Sequence, residues 1–508
     1  MNVEENKDSN NQKESESEFT PLNVKNISNN KNKKDYNLYI LCILISIMII
    51  MILYQYIINY KKVKSKKETK TKNSIYNKNI MLQNMIGNNT DENKNKDIRD
   101  SDEKIGVAFI YHILHSNGVA RVVALTADYL IKTGRYNVYI ITGKPNSKDF
   151  KIDSRIKRFT GYDNRTIIKS LKESLNIKYF ILNNQLTKSI IDFLKSLNTK
   201  VIGIFHGVYL SAIFHNNTGG YKGWYKFDNY DAFVSVAADD LYFYKKLGYK
   251  HATFLPNLYT FEPSITPVSN LTYNNIVILG RAHDKIKGII YAIKAMTYIT
   301  KEVPDAKLIL ASSDTHVKNL EELIKSSNLT KSIEFKFLPN ITEVFLNSSV
   351  LMFTSLCEAF PMAMNEGKAH GLPVVAFNIP FSPPYQSGVI TVPHLDVEAL
   401  ANETIKLLKN YDYRKQKGKE AKLSLNRFSN ENTVKLWEKL FVSLKKGTFK
   451  EFQKEIENKY YDEKIAKEHV LMHFNSALKF NKYFRCHTFE NMLNLNYIKN
   501  IKNCTNVT

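Results

Sequence analysis

Cysteine is scarce: the chain has four in 508 residues, Cys42, Cys357, Cys486 and Cys504, each far from the others. Such spacing builds neither a disulfide framework nor a paired Cys-x-x-Cys zinc site, and it leaves the redox compartment open. A helix-turn-helix pattern, interleaved Cys/His pairs and an aromatic RNA-binding signature are also missing, so the net charge of +23 has no motif to make it a nucleic-acid footprint. The 72 Lys and Arg, against 49 Asp and Glu, are spread through Asn-, Lys- and Ile-rich sequence. No nucleic-acid partner is expected. No short-period repeat suggests a solenoid. His112 and His115 stand three apart at a strand end without a paired carboxylate, and neither a metal nor another cofactor is expected.

One long apolar run is present. Residues 38–58 read LYILCILISIMIIMILYQYII, with Gln55 the only strongly polar member. At helical rise this length crosses the roughly 30 Å of a bilayer's hydrocarbon. The run is too long and too far from the start for a cleaved signal peptide, so residues 37–60 are expected to be a transmembrane anchor. Seven lysines between Lys61 and Lys72, against Lys31, Lys33 and Lys34 before the run, favour a cytoplasmic body by the positive-inside tendency. Sequons at Asn164 and Asn402 would permit a lumenal one. The expectation is a single-pass protein of the endoplasmic reticulum or Golgi membrane, with either side open. Residues 1–36 and 61–103 are dominated by Asn, Lys, Asp, Glu and Ser and read as a disordered tail and a disordered linker.

From Lys104 onward, short apolar runs alternate with longer helical patterns, the texture of parallel sheets covered by helices. One series of expected strands is IGVAFIYHI (105–113), YNVYIIT (136–142), KYFIL (178–182), VIGIFH (201–206) and AFVSV (232–236). A second is NIVIL (275–279), AKLILA (306–311), SIEFKF (332–337), VLMFT (350–354) and PVVAF (373–377). Between them, LPNLYTFEPSITPVSN (255–270) has no period and reads as an interdomain linker. Two doubly wound α/β domains follow, at 104–262 and 263–445, then a helical C-terminal extension at 446–508. Ligands are expected outside the carboxyl ends of the strands and in the cleft between the domains.

The stretch CEAFPMAMNEGKAHGLPVVAF (357–377) puts two carboxylates, Glu358 and Glu366, among core residues and chain breakers. Pro361 suits the first turn of a helix that Gly371-Leu372-Pro373 would end. Glu358 then sits at a helix entrance, where the dipole favours an anion. Taken singly, a capping role and a solvent-facing position explain the two glutamates as well. GRAHDKIKG (280–288) follows a strand and opens a helix, offering a guanidinium and an ammonium to a phosphate. HSNGVARVV (115–123) fills the first strand-to-helix turn, where a glycine lets backbone approach a phosphate or an acceptor. FHG (205–207) ends a strand with a histidine whose plain alternative is a satisfied core role.

In this company and order, these stretches resemble the retaining glycosyltransferases of the GT-B fold, family 4 (the glycosyl transferases group 1 domain). The family's motif is two glutamates separated by seven residues, then a Gly-x-Pro-Val-Val strand; the match runs from Ser355 to Phe377, within a resemblance covering about 104–445. It implies two Rossmann-like domains facing a cleft and retaining transfer of a hexosyl unit from a nucleotide sugar to a glycan or lipid-linked acceptor, without a metal. It further implies Arg281, Lys287 and Gly118 at the donor diphosphate, and His206 near the transferred sugar. Glu358 would contact the sugar hydroxyls and Glu366 the ribose, with Phe360, Pro361 and Met362 beside them; Glu358 and His206 are the expected catalytic residues. The chain departs from the family at Ala359, usually Gly, at Gly367, usually Ala, and at NIPFSPPYQSG (378–388), usually a Gly-Pro-x-Glu turn. Those departures leave room for a membrane-tethered sugar- or nucleotide-binding protein without turnover. A third reading is a tethered protein that binds anionic lipid or nucleic acid through its lysines.

Overall fold

The structure is a computed structural model that describes residues 104–115, 117–183, 188–209, 229–312, 318–337, 340–379, 387–480 and 488–494. The apolar run at 38–58, with the expected tail and linker around it, lies outside these residues. Among the described residues no helix is long and apolar enough to cross a membrane.

The first half comprises β1 (Ile105–Ile110), α1 (Gly118–Lys132), β2 (Tyr136–Thr142), β3 (Lys157–Thr160), α2 (Arg165–Ser174), β4 (Ile177–Asn183), α3 (Lys188–Ser196), β5 (Lys200–Phe205), β6 (Ala232–Ser235), α4 (Leu241–Lys246) and β7 (Ala252–Phe254). Its strands pair in parallel in the order β3-β2-β1-β4-β5-β6-β7. Helices cover both faces, so interior strands are apolar without alternation: β1 reads IGVAFI and buries every residue after Ile105. The order reverses at β1, which opens a crevice at its carboxyl end beside the start of α1.

The second half repeats the plan with β8 (Asn275–Leu279), α5 (Ile289–Glu302), β9 (Lys307–Ser312), α6 (Lys318–Ser326), β10 (Ile333–Phe337), α7 (Ile341–Leu346), β11 (Val350–Phe353), α8 (Met362–Ala369), β12 (Val374–Phe377), β13 (Val389–Val392), α9 (Val397–Lys409) and α10 (Tyr411–Ser424). Its parallel order is β10-β9-β8-β11-β12-β13, and the switch falls between β8 and β11. Both candidate donor-site loops leave these two strands.

The chain then returns. Helix α11 (Asn430–Lys446) packs on the first half, where Tyr179 Oη donates to Phe441 O at 2.8 Å and Arg135 pairs with Glu438. The polypeptide therefore crosses between the halves twice, and the crossings touch. Asn430 Oδ1 accepts from Tyr259 N at 2.6 Å, and Asn430 Nδ2 donates to Tyr259 O and Tyr129 Oη at 3.0 and 2.9 Å. The extension continues as α12 (Phe449–Tyr460) and α13 (Glu463–Phe480). Rings of Phe254, Phe428 and Tyr460 join β7, the second crossing and α12. Each such pair adds about 0.5–1.5 kcal/mol beyond its buried area.

Candidate active site

The site begins with one glycine. Gly288 has a left-handed φ of 62°, and a Cβ there would stand 2.2 Å from Thr354 O, so no other residue fits. This close approach lets Thr354 Oγ1 donate to Lys287 O at 2.9 Å and Leu356 N to Ile286 O at 2.8 Å. The loops after β8 and β11 are thereby stitched together, and Lys287 Nζ donates to Glu358 Oε1 at 2.7 Å. Burial would lower the pKa of Lys287, but the Glu358 carboxylate outweighs it and holds the ammonium above the usual lysine range. Arg281 lies on the same loop and donates to Asp284 at 2.6 Å, with 49% of its side chain exposed. The structure brings Lys287 to Glu358 and leaves Arg281 on its own turn.

Pro361 is the N-cap of α8 and makes no side-chain capping bond; Met362 N donates to Phe360 O at 2.9 Å, and no side chain caps the N–H groups that follow. An uncapped helix start beside a lysine is suited to an anion. Within α8, a Cβ on Gly367 would stand 2.7 Å from Leu351 Cδ2. An alanine there would require the tip of the Leu351 side chain to shift. Nothing in the structure explains the methyl of Ala359, which is buried. Phe360 is buried with its ring 6.2 Å from Tyr259, Pro361 is buried, and Met362 is half-buried.

Glu366 is 2% exposed, and both of its side-chain bonds fall on Oε1, from Arg121 Nη1 at 2.5 Å and Thr260 Oγ1 at 2.7 Å. Oε2 has no partner among the described residues. Arg121 comes from α1, with its guanidinium 5.3 Å from the Phe150 ring centroid, so Glu366 ties the first half and the linker to α8. Gly118 opens α1, and nothing lies within 4 Å of a Cβ built there; the turn is open, and packing does not demand a glycine. Asn117 caps that helix by accepting from Ala120 N at 2.8 Å.

His206 follows β5, its Nε2 2.9 Å from Asn183 Oδ1. Burial pulls its pKa down to about 3, so it is neutral at physiological pH. One of its contacts is thus with the end of β4 in its own half. His115 turns to Asp149 at 2.8 Å, and among the described residues no group of three His, Cys, Asp or Glu could hold a metal ion. The sequence points to Lys287, Glu358 and Glu366 but not to Arg121 or Thr260. The available signal is the position of Arg121, one turn after Gly118.

Two parallel sheets of this order, joined through Glu366, have the paired Rossmann-like architecture expected of a GT-B fold. Within it, residues 265–424 match the family model for glycosyl transferases group 1. A poly(glycerol-phosphate) alpha-glucosyltransferase of Bacillus subtilis is 24% identical over 251 residues, 45% of this chain and 37% of that protein. The chain thus matches well under half of that relative's length. Sucrose-phosphate synthase from Thermosynechococcus elongatus superposes with a TM-score of 0.57 at 15% identity, covering 68% of this chain and all of that one. TarM of S. aureus, crystallised with fondaparinux, alpha-GlcNAc-glycerol and UDP, superposes with a TM-score of 0.53 at 12% identity, covering 67% of this chain and 100% of that one.

Proposed function

We propose that this protein is a retaining glycosyltransferase of the family 4 type, moving a hexosyl unit from a nucleotide sugar to a glycan or lipid-linked acceptor. The observation that carries the reading is the Lys287–Glu358 pair, fixed by Gly288 beside the uncapped start of α8. UDP in the TarM crystal supports a nucleotide donor.

On this reading Lys287, the start of α8 and an Arg281 released from Asp284 hold the diphosphate, with the open turn at Gly118 facing the same anion. As the bond from the anomeric carbon to the phosphate oxygen breaks, negative charge grows on the leaving group and these donors oppose it. The acceptor hydroxyl passes its proton to that phosphate while its oxygen bonds the same face of the sugar. Glu358 accepts from sugar hydroxyls and Glu366 Oε2 from the ribose, while Phe360, Pro361 and Met362 shape the start of α8. Each carboxylate is already paired with a cation, so neither serves as the acid of a glycosidase couple. His206, held neutral, exchanges a hydrogen bond with the sugar and carries no charge. The run at 38–58 would anchor the protein in an endoplasmic reticulum or Golgi membrane, within reach of a lipid-linked acceptor.

The deciding experiment incubates the full chain with a panel of nucleotide sugars and candidate acceptors, then reads the anomeric configuration of the product by NMR. Inversion refutes the retaining mechanism. Binding measured by calorimetry without any transfer would favour the tethered sugar-binding protein.

Two variants sharpen the assignment. Glu366→Ala should raise the donor Michaelis constant about tenfold to a hundredfold with turnover little changed, because hydrogen bonds to a charged group are worth about 1.5–3 kcal/mol. A donor Michaelis constant equal to wild type removes Glu366 from the ribose. Arg281→Ala should cost less, about tenfold in turnover, because that guanidinium is half exposed and must first leave Asp284. A loss larger than that of Lys287→Ala would reverse the assigned order of the two cations.

A further inference from the structure

The C-terminal extension reaches the donor site. Helix α13 buries Ala466, Val470, His473 and Phe474, a single face at helical spacing. That face lies on α4 and on the 3-10 turn Ala238–Asp240 of the first half. Lys246 pairs with Glu463 at 2.8 Å and His469 Nδ1 with Asp239 Oδ2 at 2.8 Å. The Phe474 ring meets Phe489, which in turn meets Tyr242 and Phe243. The helix is therefore anchored on the first half by apolar, aromatic and ionic contacts.

His473 continues this face across to the second half. Its Nε2 lies 3.2 Å from the sulfur of Cys357, the residue before Glu358. Burial, with His394 nearby, lowers the pKa of His473 to about 4; burial beside Glu358 and Asp240 pushes the Cys357 thiol far up. Both groups stay neutral, so the thiol donates to Nε2 when the imidazole carries its proton on Nδ1 and accepts from Nε2 in the other tautomer. Glu358 is thus approached from two directions: Lys287 holds its carboxylate, and His473 meets the side chain of the residue before it.

We infer that α13 is a strap on the donor site, in which His473 acts as a positioning residue that fixes the Glu358 loop through Cys357 and couples it to the first half. The inference deepens the transferase reading and rests on it. The 265–424 stretch supplies Cys357 to this contact but not His473, because α13 lies outside it. A misplacement of about 1 Å in a substrate-positioning group can cost on the order of a hundredfold in rate.

The test uses the full chain with two readouts. His473→Ala should lower turnover about tenfold or more, while the affinity for free nucleoside diphosphate, held by Lys287 and Glu366, stays near wild type. His473→Gln, which keeps an acceptor, and Cys357→Ser, which keeps a donor, should each keep most of the activity. Independently, peptide-resolved alkylation with N-ethylmaleimide should find Cys357 protected in wild type and labelled in His473→Ala. Rapid labelling of wild-type Cys357, or a His473→Ala variant with unchanged protection and unchanged turnover, overturns the strap. A wild type that transfers from no nucleotide sugar overturns the transferase reading, and the labelling arm still decides whether α13 covers the loop.

Discussion

Lys287→Ala should reduce turnover on the order of a hundredfold, the scale expected when one well-placed donor is removed from a developing negative charge. The variant loses two things together. The ammonium no longer opposes charge on the departing diphosphate, and Glu358, with only 12% of its side chain exposed, loses the cation that aims its carboxylate. Its effect should therefore exceed that of Arg281→Ala and should appear in turnover and in nucleotide affinity. Lys287→Arg should recover little, because the planar guanidinium cannot occupy a position shaped for a compact ammonium between two stitched loops. Calorimetry with a free nucleoside diphosphate is the direct check: wild-type affinity in Lys287→Ala would remove this lysine from the phosphate.

The largest expected effect on stability lies two residues beyond Glu366. Lys368 is fully buried in α8, and burial lowers its pKa from 10.5 to about 7. Between those two values the unfolded chain binds a proton that the folded chain has released, so stability rises with pH across that window. Below it both states are protonated and this contribution to stability is absent. Each pKa unit corresponds to about 1.4 kcal/mol. Lys368→Met, with a similar unbranched stem, should therefore stabilise the protein by about 2–4 kcal/mol at and below neutrality and flatten the slope above it. Denaturant midpoints measured on both sides of neutrality provide the check. A wild type with no rise in stability toward alkaline pH, or a Lys368→Met variant no more stable than wild type at neutral pH, would refute it.

The centre of each sheet was legible because its strands are buried on both faces and read as continuous apolar runs, as in VLMFT and PVVAF. Strands β3, β7 and β13 were not. All three lie at sheet edges, are short, and carry either polar residues, as in KRFT, or too few residues to show a period. At an edge, pairing with one neighbour suffices, and the sequence need not advertise it. The same contrast divides the site. Lys287, Glu358 and Glu366 stand in local motifs at fixed offsets from strand ends. Arg121, Thr260 and His473 have no such marker, because their partners are 245, 106 and 116 residues away and only tertiary closure joins them. On α13, His469 and His473 read as any two polar residues one turn apart until the fold gives each a partner on a different half.

The contact between Tyr259 and Asn430 has a mechanical consequence. A single connecting strand would let the two sheets swivel freely, whereas two strands laced together at one point leave them a common pivot. Any rotation of one half against the other would turn about that point and would also have to move the Glu366–Arg121 contact. Asn430 is not itself one of the proposed donor-binding residues, yet through Tyr259 it holds the segment that meets Phe360 and Glu366.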